Sequence, residues 1–196
     1  MNVRERFINS IEYLRKLGFF EEYSNLTSEE IFERISEGSI LLKDLDKEEE
    51  EWARKSDFKM DTLVAIKDRK RLWGMDVEIS PYQGFAEETF KEIAAISRGV
   101  FQPKDIEEEW LGWGSRIHFT FRGERHTLDF RFNYDFLDVG SIMMKINDLI
   151  KDTGYQYYEI LVDSGQCVFA IVLTKWEAEK LVKERRWRLR SEWRSY

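Results

Sequence analysis

The sequence predicts an α+β fold, in which an antiparallel or mixed sheet of about four to six strands carries packed helices. Apolar and polar residues alternate twice in succession over residues 116–132, which is typical of a β-hairpin. From residue 142 the apolar spacing becomes helical, and a second apolar hairpin and a further helix follow. Residues 116–187 are therefore expected to form a ββαββα unit, with both hairpins in one sheet and a shared apolar interior.

The first hairpin is predicted to turn at Gly123 and Glu124. Glycine in the first loop position suits a type II′ turn, because that position requires a positive φ. A two-residue loop at these positions places His118 opposite Asp129 on the polar face of the hairpin. It places His126 on the apolar face, where a partly buried imidazole is expected.

A helix is predicted to start near residue 142, where Ile, Met and Leu residues recur on one face. Asp138 or Ser141 is expected to cap its start, because either side chain can accept a hydrogen bond from an unpaired backbone N–H group. Gly154 is expected to end the helix in a left-handed conformation.

Residues 155–162 and 167–173 are predicted to be the strands of the second hairpin. The later segment is apolar on both faces, which favours a central position in a sheet. Cys167 opens this segment, so its thiol is expected to be an inert part of the core. Thr174 and Glu177 have the spacing of a capping box at the start of the last helix.

The chain before this unit is predicted to be largely helical. Residues 1–56 are expected to form a helical N-terminal portion, and residues 57–196 the α+β domain. One amphipathic helix should end near Gly18, and a second should begin at a capping box of Thr27 and Glu30. Two short helices cannot bury their apolar faces alone, so they are expected to pack on each other and on the sheet.

The middle of the chain is predicted to alternate between extended and helical segments. Residues 63–66 are apolar and are expected to form a short strand, and residues 72–79 to continue in an extended conformation. Helical spacing returns over residues 85–97. Residues 101–114 contain an acidic run and then a Trp/Gly segment at residues 110–114, and this Trp/Gly segment is expected to form a loop whose rings cover an edge of the core.

Composition narrows the class of protein. The 196 residues are 42% hydrophobic and carry a formal net charge of −7, which suits a folded protein with a basic partner and disfavours broad affinity for nucleic acid. The single Cys excludes an internal disulfide framework, and no Cys/His spacing resembles a zinc site. Neither a signal peptide nor a membrane span is expected, so a cytoplasmic location is predicted. No cofactor-binding motif occurs, and no cofactor is predicted.

The polar face of the first hairpin supplies the candidates for chemistry. His118, Asp129 and Asp135 are the candidate catalytic residues, because an imidazole beside a carboxylate can act as an oriented general base. The alternative is a cross-strand pair that only stabilises the hairpin. Arg116 and Arg131 are candidate ligand-binding residues, since a guanidinium group can bind phosphate or carboxylate through two donors. The alternative is an ordinary solvated sheet face.

Protein–protein interaction is the leading functional hypothesis. Trp110 and Trp113 are candidate contact residues, because Trp is enriched at interfaces. Glu48 and Glu49 belong to an acidic run that is either a docking surface or a solvated helix start. The protein is therefore predicted to be a non-catalytic soluble binding protein, such as a bacterial immunity-type inhibitor of a basic partner. The alternative is an enzyme or a small-ligand-binding domain that uses the polar face of the 116–132 hairpin.

Nucleic-acid binding is the remaining hypothesis. Arg185, Arg186, Arg188 and Arg190 are interleaved with Trp residues near the C-terminus, where they could contact phosphates with support from stacking. The alternative is a final helix whose basic end complements the helix dipole and pairs with the acidic body.

Overall fold

The computed structural model describes residues 2–37, 51, 56–162 and 166–194. Within these ranges, helices and antiparallel sheets form an α+β fold, which confirms the predicted class. The helices are α1 (Val3–Arg15), α2 (Ser28–Ser36), α3 (Asp57–Ala65), α4 (Phe85–Ala95), α5 (Val139–Ile150) and α6 (Lys175–Arg185). The strands are β1 (Leu72–Asp76), β2 (Lys104–Trp110), β3 (Ser115–Phe121), β4 (Glu124–Phe130), β5 (Phe132–Asn133), β6 (Phe136–Leu137), β7 (Tyr155–Ile160), β8 (Cys167–Thr174) and β9 (Leu189–Arg190). None of the described helices is long and apolar enough to cross a membrane.

The chain divides into two compact units. The first unit comprises Met1–Arg69 and Glu179–Trp187, and the second comprises Lys70–Ala178 and Arg188–Tyr196. The first unit therefore contains α1, α2, α3 and the end of α6, and the second contains all nine described strands. The domain boundary expected after residue 56 stays a prediction.

The helices of the first unit begin at side-chain caps. The Thr27 hydroxyl accepts from the Glu30 N–H group, and the Glu30 carboxylate accepts from the Thr27 N–H group, so the predicted capping box is confirmed. The strand predicted over residues 63–66 is wrong, because these residues lie in and just after helix α3, which Ser56 caps. A short apolar run fits a buried helix as well as a strand.

A buried carboxylate binds the end of α6 to α3 within the first unit. Asp61 is 0% exposed. Its two oxygens accept hydrogen bonds from Arg185 Nε at 2.8 Å and Arg185 Nη2 at 2.6 Å. The indole N–H group of Trp187 also donates to Asp61, at 3.1 Å. Arg185 Nη2 further donates to the Ser10 hydroxyl at 3.2 Å, so the pair also reaches α1.

The strands of the second unit form three antiparallel sheets. Their orders are β1-β8-β7-β9, β2-β3-β4 and β5-β6. The prediction that both hairpins share one sheet is wrong, because strands from distant parts of the chain pair with each hairpin separately. Strand β2 pairs with β3, whereas β1 pairs with β8 and β9 with β7. The apolar strand β8 lies between β1 and β7, and its predicted central position is confirmed.

The predicted shared interior is confirmed. One cluster of buried side chains includes Phe119 of β3, Phe130 of β4 and Tyr157 of β7. The same cluster contains Ile142 and Ile146 of α5, and this helix contacts both β4 and β7. Helix α5, and not a continuous sheet, therefore joins the two hairpins.

The turn of the first hairpin lies one residue earlier than expected. Arg122 has φ 51° and Gly123 has φ 83°, and two successive positive φ angles are typical of a type I′ turn. Glu124 is then the first residue of β4, opposite Phe121. The predicted type II′ loop at Gly123 and Glu124 is wrong, because Arg122 adopts a left-handed conformation that few residues other than glycine take up.

Strand β2 was not predicted, and the expectation for Cys167 is wrong. Residues 104–110, which include the acidic run, form strand β2. Three successive glutamates are unusual in a strand, but β2 lies at the edge of its sheet, where charged side chains hinder pairing with other chains. Cys167 is exposed and not part of the core. It is the first residue of β8 and lies opposite Asp76, the last residue of β1, at the end of the pairing.

The buried Asp61–Arg185 pair is expected to contribute far more to stability than an exposed ion pair. Asp61→Ala should lower the free energy of unfolding by about 3–5 kcal/mol, because the largely buried Arg185 guanidinium loses its carboxylate. Urea denaturation followed by tryptophan fluorescence measures this loss. Asp152→Ala is the matched control: it removes an exposed pair with Arg122 at 2.7 Å and should leave the unfolding free energy nearly unchanged. Equal small losses for both variants would contradict a structural role for the buried pair.

Candidate functional site

The polar face of the β3–β4 hairpin forms one wall of an open pocket of about 520 Å³ in the second unit. Strand alternation brings one set of polar side chains to this face, and helix α5 supplies the others. The polar residues that line the pocket are Arg116, His118, Thr127, Asp129, Arg131, Ser141 and Lys145. Four of the five candidate residues on the hairpin side thus lie together, and Asp135 is the exception.

Asp129 lies between the two arginines that the sequence singled out. Its Oδ1 accepts from Arg116 Nε at 2.9 Å, and its Oδ2 accepts from Arg131 Nη2 at 2.7 Å. The hydrogen bond from Arg131, and next the one from Arg116, hold the pKa of the Asp129 carboxyl below its usual range. A carboxylate held in this way orients the two guanidinium groups and is a poor proton acceptor.

His118 does not pair with Asp129, so that expectation is wrong. In the observed register His118 lies opposite Thr127, and its Nδ1 is 3.1 Å from the Thr127 hydroxyl. Its Nε2 lies 3.4 Å from Oε2 of Glu109 on β2. Because the register differs from the expected one by two residues, every side chain keeps its face, and only the partners change. The pairing of Asp129 with Arg116 follows from the same shift.

His126 lies on the apolar side of the hairpin, as expected. It is half-buried, and its ring stacks on Phe119 with centroids 5.4 Å apart. This contact gives the imidazole a packing role.

The helix side of the pocket comes from the first turns of α5. The Ser141 N–H group donates to Asp138 Oδ1 at 3.1 Å, so Asp138 is the cap of the helix. The Ser141 hydroxyl donates to Asp138 Oδ2 at 2.6 Å and is therefore not paired with His118 as a nucleophile would be. Lys145 lies one turn further along the same face of α5. These contacts describe a binding pocket and no assembled nucleophile.

A second surface of interest gathers large exposed hydrophobic side chains from three loops of the second unit. We call it the apolar end. Its residues are Tyr82, Leu111, Trp113, Tyr134 and Phe136, of which Tyr134 is 84% and Trp113 is 58% exposed. Trp113 was expected to cover an edge of the core, and this is wrong.

The three loops of the apolar end meet around the ring of Phe132. The Phe85 ring lies 6.1 Å from it and 5.5 Å from the ring of Tyr82. Gly114, next to Trp113, lies against the end of β4: a Cβ atom there would be 2.7 Å from the Phe130 carbonyl oxygen and 3.8 Å from the Phe132 ring. Only glycine fits at this position, and the β2–β3 loop thereby lies beside Phe132 of the β5–β6 hairpin.

The segments that carry the apolar end are strongly acidic. Residues 76–88, 105–114 and 132–138, which include strand and helix residues beside the loops, contain ten Asp and Glu residues and no Lys, Arg or His. Part of this charge is compensated by the neighbouring strands, since Glu107 binds Arg125 and Glu109 contacts Arg116 at 3.4 Å.

The remaining predicted site residues do not line the hairpin pocket or belong to the exposed set of the apolar end. Trp110 is half-buried at the end of β2, and Asp135 lies in the β5–β6 turn, where its carbonyl accepts from Ile79 N–H at 2.9 Å. Glu48 and Glu49 lie outside the described residues.

The basic C-terminal segment is divided between internal contacts and solvent. Arg185 is bound to Asp61, and Arg190 Nε donates to the buried Glu159 carboxylate at 2.8 Å. Arg186 and Arg188 are exposed. The predicted contact with nucleic acid stays a prediction, with two of its four arginines already bound to carboxylates of the protein.

Sequence reasoning did not identify Lys145 or four residues of the apolar end, Tyr82, Leu111, Tyr134 and Phe136. The polar face of α5 opposite its apolar stripe was a usable signal for Lys145. Tyr134 is the tip of a hairpin with two-residue strands, and such short strands leave no alternation to detect.

Compared with known proteins, the chain matches no family model, no curated protein and no solved structure. Among the described residues, no three His, Cys, Asp or Glu side chains come together as metal ligands would. The hairpin pocket and the apolar end are therefore the features of the molecule that bear on its function.

The contacts of Asp129 predict a pH effect. Its lowered pKa stabilises the fold above the pKa of the unfolded chain, and this contribution is lost as the pH falls through the folded value. Arg131→Ala should raise the Asp129 pKa toward that of an ordinary carboxyl, because it removes the strongest of the hydrogen bonds that lower it. Carboxyl ¹³C shifts measured against pH report this pKa. Arg122→Ala is the control and should leave it unchanged. An ordinary Asp129 pKa in the wild-type protein would contradict the described pairing.

Proposed function

We propose that this protein is a non-catalytic binding protein that recognises a basic protein partner through its apolar end. The observation that carries the proposal is the convergence of five exposed hydrophobic side chains from three separate loops. Single exposed hydrophobic residues are normal on protein surfaces, whereas a contiguous group with a polar surround is typical of an interaction site.

The composition of the apolar end supports protein binding. Tyr, Trp and Phe are enriched at interfaces because they offer a large contact area with few rotatable bonds. Trp113 and Tyr134 are the most exposed members and are the natural anchors of such a contact. The Leu111 N–H group donates to the Gly114 carbonyl at 3.1 Å and closes the Trp113 loop into a tight turn, which lowers the conformational entropy lost on binding.

The charge of the surrounding loops selects the partner. Ten acidic and no basic residues in these three segments favour a negative potential that attracts a basic surface and repels nucleic acid. Glu107 and Glu109 are partly neutralised by arginines of β3 and β4, so the other acids contribute most of this charge. An inhibitor that covers a basic partner, as an immunity-type protein covers a toxin, is one form such a protein takes.

The hairpin pocket supports binding rather than catalysis. Asp129 is held by two guanidinium groups, and the Ser141 hydroxyl is held by Asp138. A general base needs a free acceptor near the proton that it removes, and a nucleophile needs a base beside it. These contacts favour a role without chemistry.

Site-specific photocrosslinking tests the proposal. A photoreactive phenylalanine analogue replaces Trp113 in one variant and Trp176 in the control variant, and both are introduced into the native host. Trp176 is 62% exposed on α6, so the two positions are equally accessible. We expect one protein with a basic surface to crosslink through position 113 and not through position 176.

The partner identified by crosslinking is then purified, and its affinity for the wild-type chain, without the photoreactive residue, is measured. Trp113→Ala should weaken binding about 30-fold or more, as expected for an interface hot spot, and Trp176→Ala should leave it unchanged. Added salt should slow the association. Equal crosslinking at both positions, or equal affinities of both variants, would refute binding through the apolar end.

A further inference from the structure

We propose that the hairpin pocket binds the dianionic phosphate group of a phosphate monoester. The pocket lies on the polar face of β3 and β4 and on the first turns of α5. It is distinct from the apolar end, and the inference does not depend on the proposed protein partner.

The balance of charge in the pocket is positive although the whole protein is acidic. Arg116, Arg131 and Lys145 contribute three positive charges to the lining, and Asp129 contributes one negative charge. Glu109 does not line the pocket but contacts Arg116 at 3.4 Å and offsets part of its charge. The lining itself keeps an excess of two positive charges, which matches a dianion better than a single carboxylate. Because the chain as a whole has a net charge of −7, three cations around one opening depart from its overall charge, and this favours a role for them in binding an anion.

Asp129 orients the arginines without using all their donors. A guanidinium group carries five N–H donors. The Asp129 carboxylate takes the Nε donor of Arg116 and one Nη2 donor of Arg131. The Arg131 side chain is 74% exposed, so its remaining donors face the opening. An oriented guanidinium group with unused paired donors suits bidentate binding of a phosphate group.

Lys145 completes the cationic lining from the other side. It is exposed on α5, and it makes no ion pair with any described residue. Its ammonium group is a mobile point charge on a flexible stem, which complements the two fixed guanidinium groups. The anion would therefore contact one rigid wall and one adaptable wall.

The shape of the pocket limits what the phosphate is attached to. With a volume of about 520 Å³ and a wide opening, the pocket accommodates a charged group while the rest of the ligand extends into solvent. The lining is polar apart from Leu128 and the stems of the long side chains, so the charged group provides most of the recognition. Both a small phosphorylated metabolite and a phosphorylated protein side chain present such a group.

The test is a titration of the ¹⁵N-labelled full chain with glycerol 3-phosphate at pH 7.5. At this pH the monoester is mostly dianionic, because its second pKa is about 6. The Nε–H signals of Arg116 and Arg131 report on the pocket directly. We expect both to shift and to saturate, with a dissociation constant of about 1 mM. Sodium chloride at the same ionic strength should not reproduce these shifts.

Paired variants identify the residues that bind. Arg131→Ala and Lys145→Ala should each weaken binding about tenfold, as expected for the loss of a charge-assisted contact. Arg122→Ala and Lys151→Ala are the controls, since each also removes one positive charge from the second unit but neither residue lines the pocket. Lys145 makes no ion pair within the described part of the chain, so Lys145→Ala tests the proposal even if Arg131→Ala disturbs the hairpin.

A second arm distinguishes the two sources of the phosphate. A phosphoserine peptide that binds at least about tenfold tighter than glycerol 3-phosphate would identify a phosphorylated protein as the source, and equal affinities would identify a small molecule. Either result supports the proposal. Shifts that do not saturate, that sodium chloride reproduces, or that the control variants weaken equally would overturn it. None of these results bears on crosslinking through Trp113, so the two proposals fail separately.

Discussion

Helix α5 is the element on which the second unit depends, because both of its main sheets bury apolar surface against it. Ile142, Met143, Ile146 and Ile150 are buried on one stripe of the helix, and α5 contacts both β4 and β7. Its Asn147 side chain also exchanges two hydrogen bonds with the backbone of Tyr157 on β7, at 3.0 and 2.7 Å. The opposite side of the same helix carries Ser141 and Lys145 to the pocket. The position of the cationic lining is therefore set by the packing of the core.

Features that depend on neighbouring residues were predictable from the sequence. The caps at Thr27, Asp138 and Thr174 are examples, because a cap requires only a side chain and an N–H group three residues on. The strand partners were not predictable. Strand β1 joins β8 across about 95 residues, and no local pattern records such a pairing. The alternation of apolar and polar residues in the first hairpin predicted correctly which side chains share a face. It carries no information about which further strand pairs with the edge of either hairpin.

The two surfaces differ in how much of each was predictable. Arg116, His118, Asp129 and Arg131 were expected on one face, and strand alternation preserves that face when the register shifts by two residues. Predicting which residues they pair with would have needed the strand register, which depends on the left-handed conformation of Arg122. Predicting the apolar end would have needed the tertiary contacts between separate loops. Its loops are far apart in sequence and meet through long-range contacts: the Ile79 N–H group donates to the Asp135 carbonyl, Phe132 packs on Phe85, and Gly114 lies against the Phe130 carbonyl.

Strand order explains how an acidic chain keeps a basic pocket. The acidic edge strand β2 pairs with β3, so its glutamates lie next to the β3 side chains, and Glu109 contacts Arg116 at 3.4 Å. Strand β4 lies on the far side of β3 from β2. Arg131 comes directly after β4 in the chain, and Lys145 lies on α5, which contacts β4. Glu107 of β2 reaches Arg125 at the other end of β4, but among the described residues neither Arg131 nor Lys145 pairs with a glutamate of β2. One three-stranded sheet thus carries cations at the pocket and a strongly acidic strand at its edge.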